Sequence, residues 1–198
     1  MKNEKYELIQ TDFKLTVFGV KVFRIKAKTK IERYGIREGE LGGYIESEKH
    51  LDVSGDAWVY GNAQVYGNAQ VYGNARVYGN ARVYGDARVY GDARVYGNAQ
   101  VYGNAQVYGN ARVYGDAQVS GGAQVSGDAS KTPLHIIGMK FHITIADNQV
   151  SWGCRKFTFD EVKKFELKDC TTTWDESEFK LNKKIITESI RYYRSEVK

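Results

Sequence analysis

Cysteine and histidine are the side chains best suited to metal ligation or nucleophilic chemistry, and the 198 residues contain two of the first and three of the second. His135, His142, Cys154 and Cys170 all fall in the C-terminal third. A structural zinc site needs closely spaced Cys or His pairs, which these four do not form. Cys and His without such pairing are most often packing residues, so a Cys154–His142 nucleophile is not expected either. Gly19-Val20 and Gly42-Gly43 lack the spacing of a phosphate-binding loop. No catalytic residue, metal or cofactor is expected from these side chains. What does recur at fixed intervals is arginine beside tyrosine, a combination enriched on protein-binding surfaces.

The element that must position these residues is a six-residue unit, Val-Tyr-Gly-Asn-Ala-Arg, that repeats with little drift from Val53 to Gly127. Valine returns at positions 53, 59, 65, 71, 77, 83, 89, 95, 101, 107, 113, 119 and 125. A period this strict means stacked, repeated structure. In the unit Ala63-Gln64-Val65-Tyr66-Gly67-Asn68, alternation puts Ala63 and Val65 on one face and Gln64 and Tyr66 on the other. Gly67-Asn68 then turns the chain. Each unit is expected to be a four-residue strand and a corner. A helix would carry a glycine in every unit at about 1 kcal/mol each. An antiparallel meander of such short strands would leave its apolar face without a packing partner. Winding every corner in the same direction stacks valine and alanine inside a triangular prism, with three strands and 18 residues per coil.

Coiling at that period aligns Trp58, Arg76, Arg94 and Arg112 on one face, beside Tyr60, Tyr78, Tyr96 and Tyr114. The equivalent columns on the other faces read Gln64, Arg82, Gln100, Gln118 and Gln70, Arg88, Gln106, Gln124. Neighbouring coils lie about 4.8 Å apart, so three successive arginines repel unless rings, anions or a partner compensate. An arginine over a tyrosine ring gains about 0.5–1 kcal/mol at an exposed site, and Tyr and Arg also simply cover a β surface well. The partner-binding candidates are therefore Tyr60, Tyr78, Tyr96, Tyr114, Arg76, Arg94 and Arg112. Asp86, Asp92 and Asp116 are read as corner residues equivalent to Asn.

The flanks divide the chain into residues 1–50, a β cap and lead-in; 51–130, the solenoid; and 131–198, a small α+β cap. Residues 6–31 read as two or three strands, with one apolar and one basic face. They are expected to close the first coil, whose strand edges would otherwise pair with other chains. After Lys131-Thr132-Pro133, strands are expected at 134–137 and 141–145 and from Val150, with a turn over 146–149. Two capping-box spacings follow: Thr158 to Glu161, opening a short helix to about Lys168, and Thr173 to Glu176, opening a C-terminal helix. On that last helix Phe179, Ile186, Ile190, Tyr193 and Val197 share one face. Lys180, Lys183, Lys184, Arg191, Arg194 and Lys198 gather beside them, a stripe suited to phosphates or to a solvated margin.

The units resemble the hexapeptide repeats of left-handed parallel β-helix proteins, and the handedness comes from that resemblance alone, since general crossover rules favour the opposite sense. Residues 40–46 (Glu-Leu-Gly-Gly-Tyr-Ile-Glu), residues 55–61 (Gly-Asp-Ala-Trp-Val-Tyr-Gly) and the Gly153-Cys154 pair give a narrower likeness. They resemble a largely uncharacterised group of phage and prophage proteins. The broader resemblance implies acyltransferases with a catalytic histidine near a projecting loop, or zinc enzymes with histidines from adjacent coils. The repeats contain neither histidine nor insertion, so neither activity is expected.

The formal charge of +5 is carried by the flanks, +3 each, while residues 51–130 are at −1. No run of about 18 apolar residues offers a membrane span, and the first residues do not suit a signal peptide, so the expected setting is cytoplasmic, in a bacterial host if the protein is phage-encoded. The expectation is a mainly β, left-handed parallel β-helix with a β N-terminal cap and an α+β C-terminal cap. It would act as a non-enzymatic interaction module for a protein partner, such as a host factor, through its Tyr/Arg face or caps. Nucleic-acid binding through the basic caps is the alternative, and self-assembly into homo-oligomers a third.

Overall fold

Val65, Val83, Val101 and Val119 stack one above the next, because parallel pairing joins each to the residue 18 positions further on. The computed structural model describes residues 3–126, 134–136, 143–146, 149–152, 155–170 and 174–195, with the side chains of 134–136, 146 and 195 aside. Within it, twelve two-residue strands, β4 (Trp58–Val59) through β15 (Gln124–Val125), recur every six residues. Successive strands lie on different faces and every third one pairs, giving the sheets β4-β7-β10-β13 and β6-β9-β12-β15 and the column β5-β8-β11-β14. The protein is a mainly β parallel solenoid with three faces and 18 residues per coil.

Alanine and valine fill the interior, each from Ala57 to Val125 at most 6% exposed. The strands are two residues long where four were expected, because the corner claims the others: the Ala63 amide turns back to the Tyr60 carbonyl at 3.1 Å. Coil-to-coil bonding nevertheless extends past the strand, from the Gln64, Tyr66 and Asn68 amides to the Ala81, Val83 and Gly85 carbonyls at 2.9, 3.1 and 2.8 Å. Corner side chains form a second ladder. Asn68 donates to Asp86 at 3.1 Å, Asn80 to Asn98 at 3.2 Å and Asn98 to Asp116 at 3.0 Å.

The 18-residue register fails at the N-terminal end. Val53, the first valine of the series, is 45% exposed, and Leu51 takes its inward place, bridging to Val71. Ile45 likewise pairs with Val65. From Leu51 to Val59 the chain therefore spends two residues more than a normal unit, forming a wider corner over 52–57 in which Asp52 accepts from the Ser54 amide at 3.1 Å. Lys5, only 7% exposed, fills that corner, its ammonium donating to the Asp52, Gly55 and Ala57 carbonyls at 2.9, 2.5 and 2.8 Å.

The N-terminal strands β1 (Tyr6–Leu15) and β2 (Lys21–Ala27) form an antiparallel hairpin. β2 pairs antiparallel with β3 (Leu41–Ile45), and β3 pairs parallel with β5, so the hairpin extends one solenoid face into a seven-stranded sheet. Tyr6, Ile25, Ile31 and Ile36 join the solenoid core and close its end. The expected basic face of β2 is partly covered: Val22 packs with Tyr44 and Tyr66, and Arg24 bonds Asp12 and the Gly42 carbonyl. Gly42-Gly43 serve close approach here, since a Cβ at Gly43 would lie 2.6 Å from Val59 and 2.8 Å from the Ala63 carbonyl.

Four antiparallel strands, β16 (Leu134–Ile136), β17 (Ile143–Ala146), β18 (Gln149–Trp152) and β19 (Arg155–Thr158), form the C-terminal sheet. β19 was not legible as a strand because its first residues, Arg155 and Lys156, are charged and exposed. Thr158 makes the expected capping box with Glu161, but helix α1 (Phe159–Lys164) stops short of Lys168, where a short 3-10 turn over Leu167–Asp169 follows. Helix α2 (Glu176–Ser195) is capped by Asp175, which accepts from the Ser177 and Glu178 amides at 2.9 and 3.1 Å; Thr173 lies outside the described residues. Phe179, Ile186, Ile190 and Tyr193 of α2 are buried against Ile143, Ile145, Val150 and Val162; Val197 lies outside the described residues.

Candidate functional site

The arginine column expected from the period is present. Trp58 pairs with Arg76, Arg76 with Arg94 and Arg94 with Arg112 across β4, β7, β10 and β13. Trp58 closes this column and adds no surface to it, because its ring is fully buried with the Tyr6 ring edge-on at 6.2 Å. Arg94 is half-buried and Arg112 exposed.

Beside the arginines the tyrosines stack on one another. Tyr78 and Tyr96 are parallel within 1° at 4.7 Å, Tyr96 and Tyr114 within 14° at 5.3 Å, and Tyr60 meets Tyr78 edge-on at 6.4 Å. Equivalent stacks run up the other faces, Tyr66-Tyr84-Tyr102 and Tyr72-Tyr90-Tyr108, at 4.8–5.1 Å. Tyrosine is thus a property of all three faces, and arginines in succession distinguish one. Three of the glutamines that stand in place of arginine accept from a tyrosine hydroxyl: Tyr84 donates to Gln100 at 3.3 Å, Tyr90 to Gln106 at 3.2 Å and Tyr102 to Gln118 at 3.3 Å. Burial pushes the hydroxyls of Tyr60 and Tyr66 up to about 12, and those of Tyr72, Tyr78 and Tyr84 upward as well.

The first rung of the arginine face is already occupied from within the chain. A loop over 31–36, pinned by the buried Ile31 and Ile36, lays the Tyr34 ring on the Arg76 guanidinium at 4.7 Å. The Tyr34 hydroxyl donates to the Asn74 carbonyl, and Arg33 pairs with Asp92 at 2.5 Å. Arg76 thus finds its ring in Tyr34, outside the repeat. Arg94 and Arg112 have neither an ion pair nor a ring over the guanidinium among the described residues. Sequence reading missed Tyr34 because nothing in its local pattern directs it to a face forty residues away; Gly35, at φ 66°, signals only the turn.

The basic stripe of α2 is largely engaged by its own chain. Lys180 pairs with Glu176 at 2.6 Å, Arg191 with Glu188 at 2.7 Å, Lys183 donates to the Phe165 carbonyl at 2.7 Å, and Arg194 lies 4.8 Å from the Phe159 ring. Lys184 has no such partner among the described residues. Of the cysteines and histidines considered for metal or nucleophilic chemistry, His142 and Cys154 lie outside the described residues, as does the side chain of His135. Cys170 is a free thiol that burial pushes upward in pKa, the reverse of activation. Among the described residues no group of three His, Cys, Asp or Glu is placed to hold a metal ion, and no helix is long and apolar enough to cross a membrane.

His50, a second residue that sequence reading passed over, is fully buried. One ring nitrogen, Nδ1, lies 2.8 Å from the Ala69 carbonyl and the other, Nε2, 3.6 Å from the Glu46 carboxylate. Burial lowers its pKa below the usual histidine value, with the Ala69 bond and Glu46 opposing. It stands on the first, irregular coil, one coil before the rung of Arg76.

With that geometry in place, comparison with known proteins bears on the coil. Residues 69–85, 75–91, 81–97, 87–103 and 105–121 match the family model described as YdcK Beta solenoid repeat. The match supports a β-helix repeat protein and indicates no catalytic family. No curated protein matches the chain.

Proposed function

We propose that this chain is a non-enzymatic interaction module that takes a protein partner on the face carrying Arg94, Arg112, Tyr78, Tyr96 and Tyr114. One observation carries the reading. Everywhere else in the coil like charges are kept apart: Arg82 stands between Gln64 and Gln100, Arg88 between Gln70 and Gln106, and Asp86 and Asp92 each between two asparagines of their column. Only on this face do arginines follow one another up the stack, about 4.8 Å apart. A stacked coil is already ordered, so a partner binding there loses little to ordering the surface. The phage or prophage setting, a bacterial cytoplasm and a host factor as partner belong to the same reading and rest on the resemblance of the lead-in.

Binding of nucleic acid through the caps draws less support, since most of the α2 cations are already paired or stacked. The test is capture of partner by immobilised protein, compared between an alanine set at Tyr78, Arg94 and Tyr96 and a control set at Tyr90, Gln106 and Tyr108 on another face. Loss confined to the first set is expected; retention by both removes the face from consideration. Fluorescence anisotropy with single- and double-stranded nucleic acid across salt covers the other reading, which requires affinity that falls steeply with salt.

A further inference from the structure

The loop over 31–36 shows what the arginine face accepts. It brings an aromatic ring onto Arg76, sends the ring's hydroxyl to a corner carbonyl, and neutralises the corner carboxylate of Asp92 with Arg33. The solenoid repeats that surface one and two coils further on with the same backbone, but the charges change. Arg94 and Arg112 repeat Arg76, while the corner equivalent to Asp92 is the neutral Asn110 for Arg94 and Asp128, outside the described residues, for Arg112. A ligand continuing upward from Tyr34 therefore meets the guanidinium groups of Arg94 and Arg112 in succession, beside a corner where Asp92 is already paired with Arg33 and Asn110 is neutral. The nearest acid on the opposite corner, Asp116, already accepts from Asn98 at 3.0 Å.

We infer that the rungs of Arg94 and Arg112 bind an extended peptide segment that carries an aromatic side chain flanked by carboxylates. The ring lies on a guanidinium as Tyr34 lies on Arg76, and the carboxylates fork the two arginines, the geometry that planar guanidinium favours. This inference rests on the interaction-module reading and names the chemistry of its partner. A stacked base with a phosphate offers a ring and an anion too. The internal occupant, however, is a peptide side chain that also donates to a backbone carbonyl, and that favours a peptide.

The test titrates the full chain with blocked pentapeptides: Gly-Glu-Tyr-Glu-Gly, its neutral form Gly-Gln-Tyr-Gln-Gly, its ringless form Gly-Glu-Ala-Glu-Gly, and a short oligothymidylate. The acidic aromatic peptide is expected to bind about tenfold more tightly than either control peptide, the step that one charge-assisted bond supplies. The double variant Arg94→Gln, Arg112→Gln is expected to abolish that preference while keeping the fold, because glutamine occupies the equivalent place at Gln100 and Gln118. Tyr34→Ala uncovers Arg76 and is expected to tighten binding of a longer peptide with two Glu-Tyr units.

Equal binding of the three peptides, indifference to the double glutamine variant, preference for the oligothymidylate, or no gain from Tyr34→Ala would each overturn the inference. The two proposals fail separately. Partner capture lost with the alanine set, with no peptide preference, leaves the module and removes the ligand chemistry. Capture retained by the alanine set removes the module reading itself.

Discussion

Replacing Gly85 with alanine, and separately Gly61, isolates what the corners of the coil require. Both residues have left-handed backbone, φ +71° and +59°, so each substitution carries the strain of a side chain in that region, about 1–2 kcal/mol. They differ in what the new methyl meets. At Gly61 it lies 3.6 Å from the Gly79 carbonyl oxygen, an ordinary contact, whereas at Gly85 it lies 2.9 Å from the Gly103 backbone nitrogen. Relief of that clash moves the two coils apart by about 0.5 Å, which already forfeits a quarter or more of the local dispersion energy. The same movement stretches the bond from the Asp86 amide to the Gly103 carbonyl, 2.9 Å long, to the edge of hydrogen-bonding distance. Overpacking of this kind costs about 1–3 kcal/mol and a weakened hydrogen bond about 1 kcal/mol. Gly61→Ala should therefore cost about 1–2 kcal/mol and Gly85→Ala about 3–6 kcal/mol. Urea denaturation followed by far-ultraviolet circular dichroism gives the two values, and amide exchange at Asn68 and Asp86 gives the local opening. Equal losses from the two variants would refute the claim that coil-to-coil approach, and not turn geometry alone, demands glycine at the corners.

Lys5→Met should destabilise the protein by about 3 kcal/mol at pH 7, since three carbonyls of the wide corner lose their donor at about 1 kcal/mol each; an unchanged urea midpoint would mean the corner is held by other contacts. Burial draws the Lys5 amine down to about 8, so it is still charged at that pH. Alkali should unfold the solenoid between about pH 10 and 12. Tyr60 and Tyr66 titrate near 12 when folded and near 10 when unfolded, so in that window the folded chain holds more protons and stability falls as pH rises. Absorbance at the phenolate band should rise together with loss of structure, and full ionisation near pH 10 in a folded chain would contradict it. On the acid side the folded pKa of His50 lies below its unfolded value, so its contribution is present above the unfolded pKa of 6.5 and is lost as pH falls through the folded one. His50→Gln should flatten the difference in urea midpoint between pH 7.5 and pH 5, and an unchanged slope would assign the acid sensitivity elsewhere.

The coil was legible because its period is longer than any local preference and admits one way to bury every valine. Alternation placed Ala63, Val65, Gln64 and Tyr66 on their correct sides, and three units per coil aligned Arg76, Arg94 and Arg112. Strand length was not legible, since a turn bond such as Ala63 to Tyr60 uses the residues that alternation had assigned to the strand. The lead-in misled for a different reason. Val53 fits the series, but Leu51 takes the inward place, and the chain spends two further residues before Val59. Arg94 and Arg112 could be placed together from spacing alone. That Tyr34 covers Arg76 is a tertiary outcome without a local signature, whereas the α2 pairs Glu176–Lys180 and Glu188–Arg191, four and three residues apart, are legible from spacing once the acids are read along with the cations.

The three-faced section has a consequence for how such a chain changes length over generations. Near-identical units invite unequal recombination, and the gene can gain or lose them in steps of six residues. A gain of three units, 18 residues, lengthens the molecule by one rise of about 4.8 Å and leaves every downstream rung above its former neighbour. A gain of one or two units folds as well internally, because valine still meets valine. It would, however, rotate everything beyond the insertion by a third or two thirds of a turn, splitting the arginine column between faces. Inheritance can thus alter the reach of this protein smoothly in whole coils, while any other step redirects what it presents.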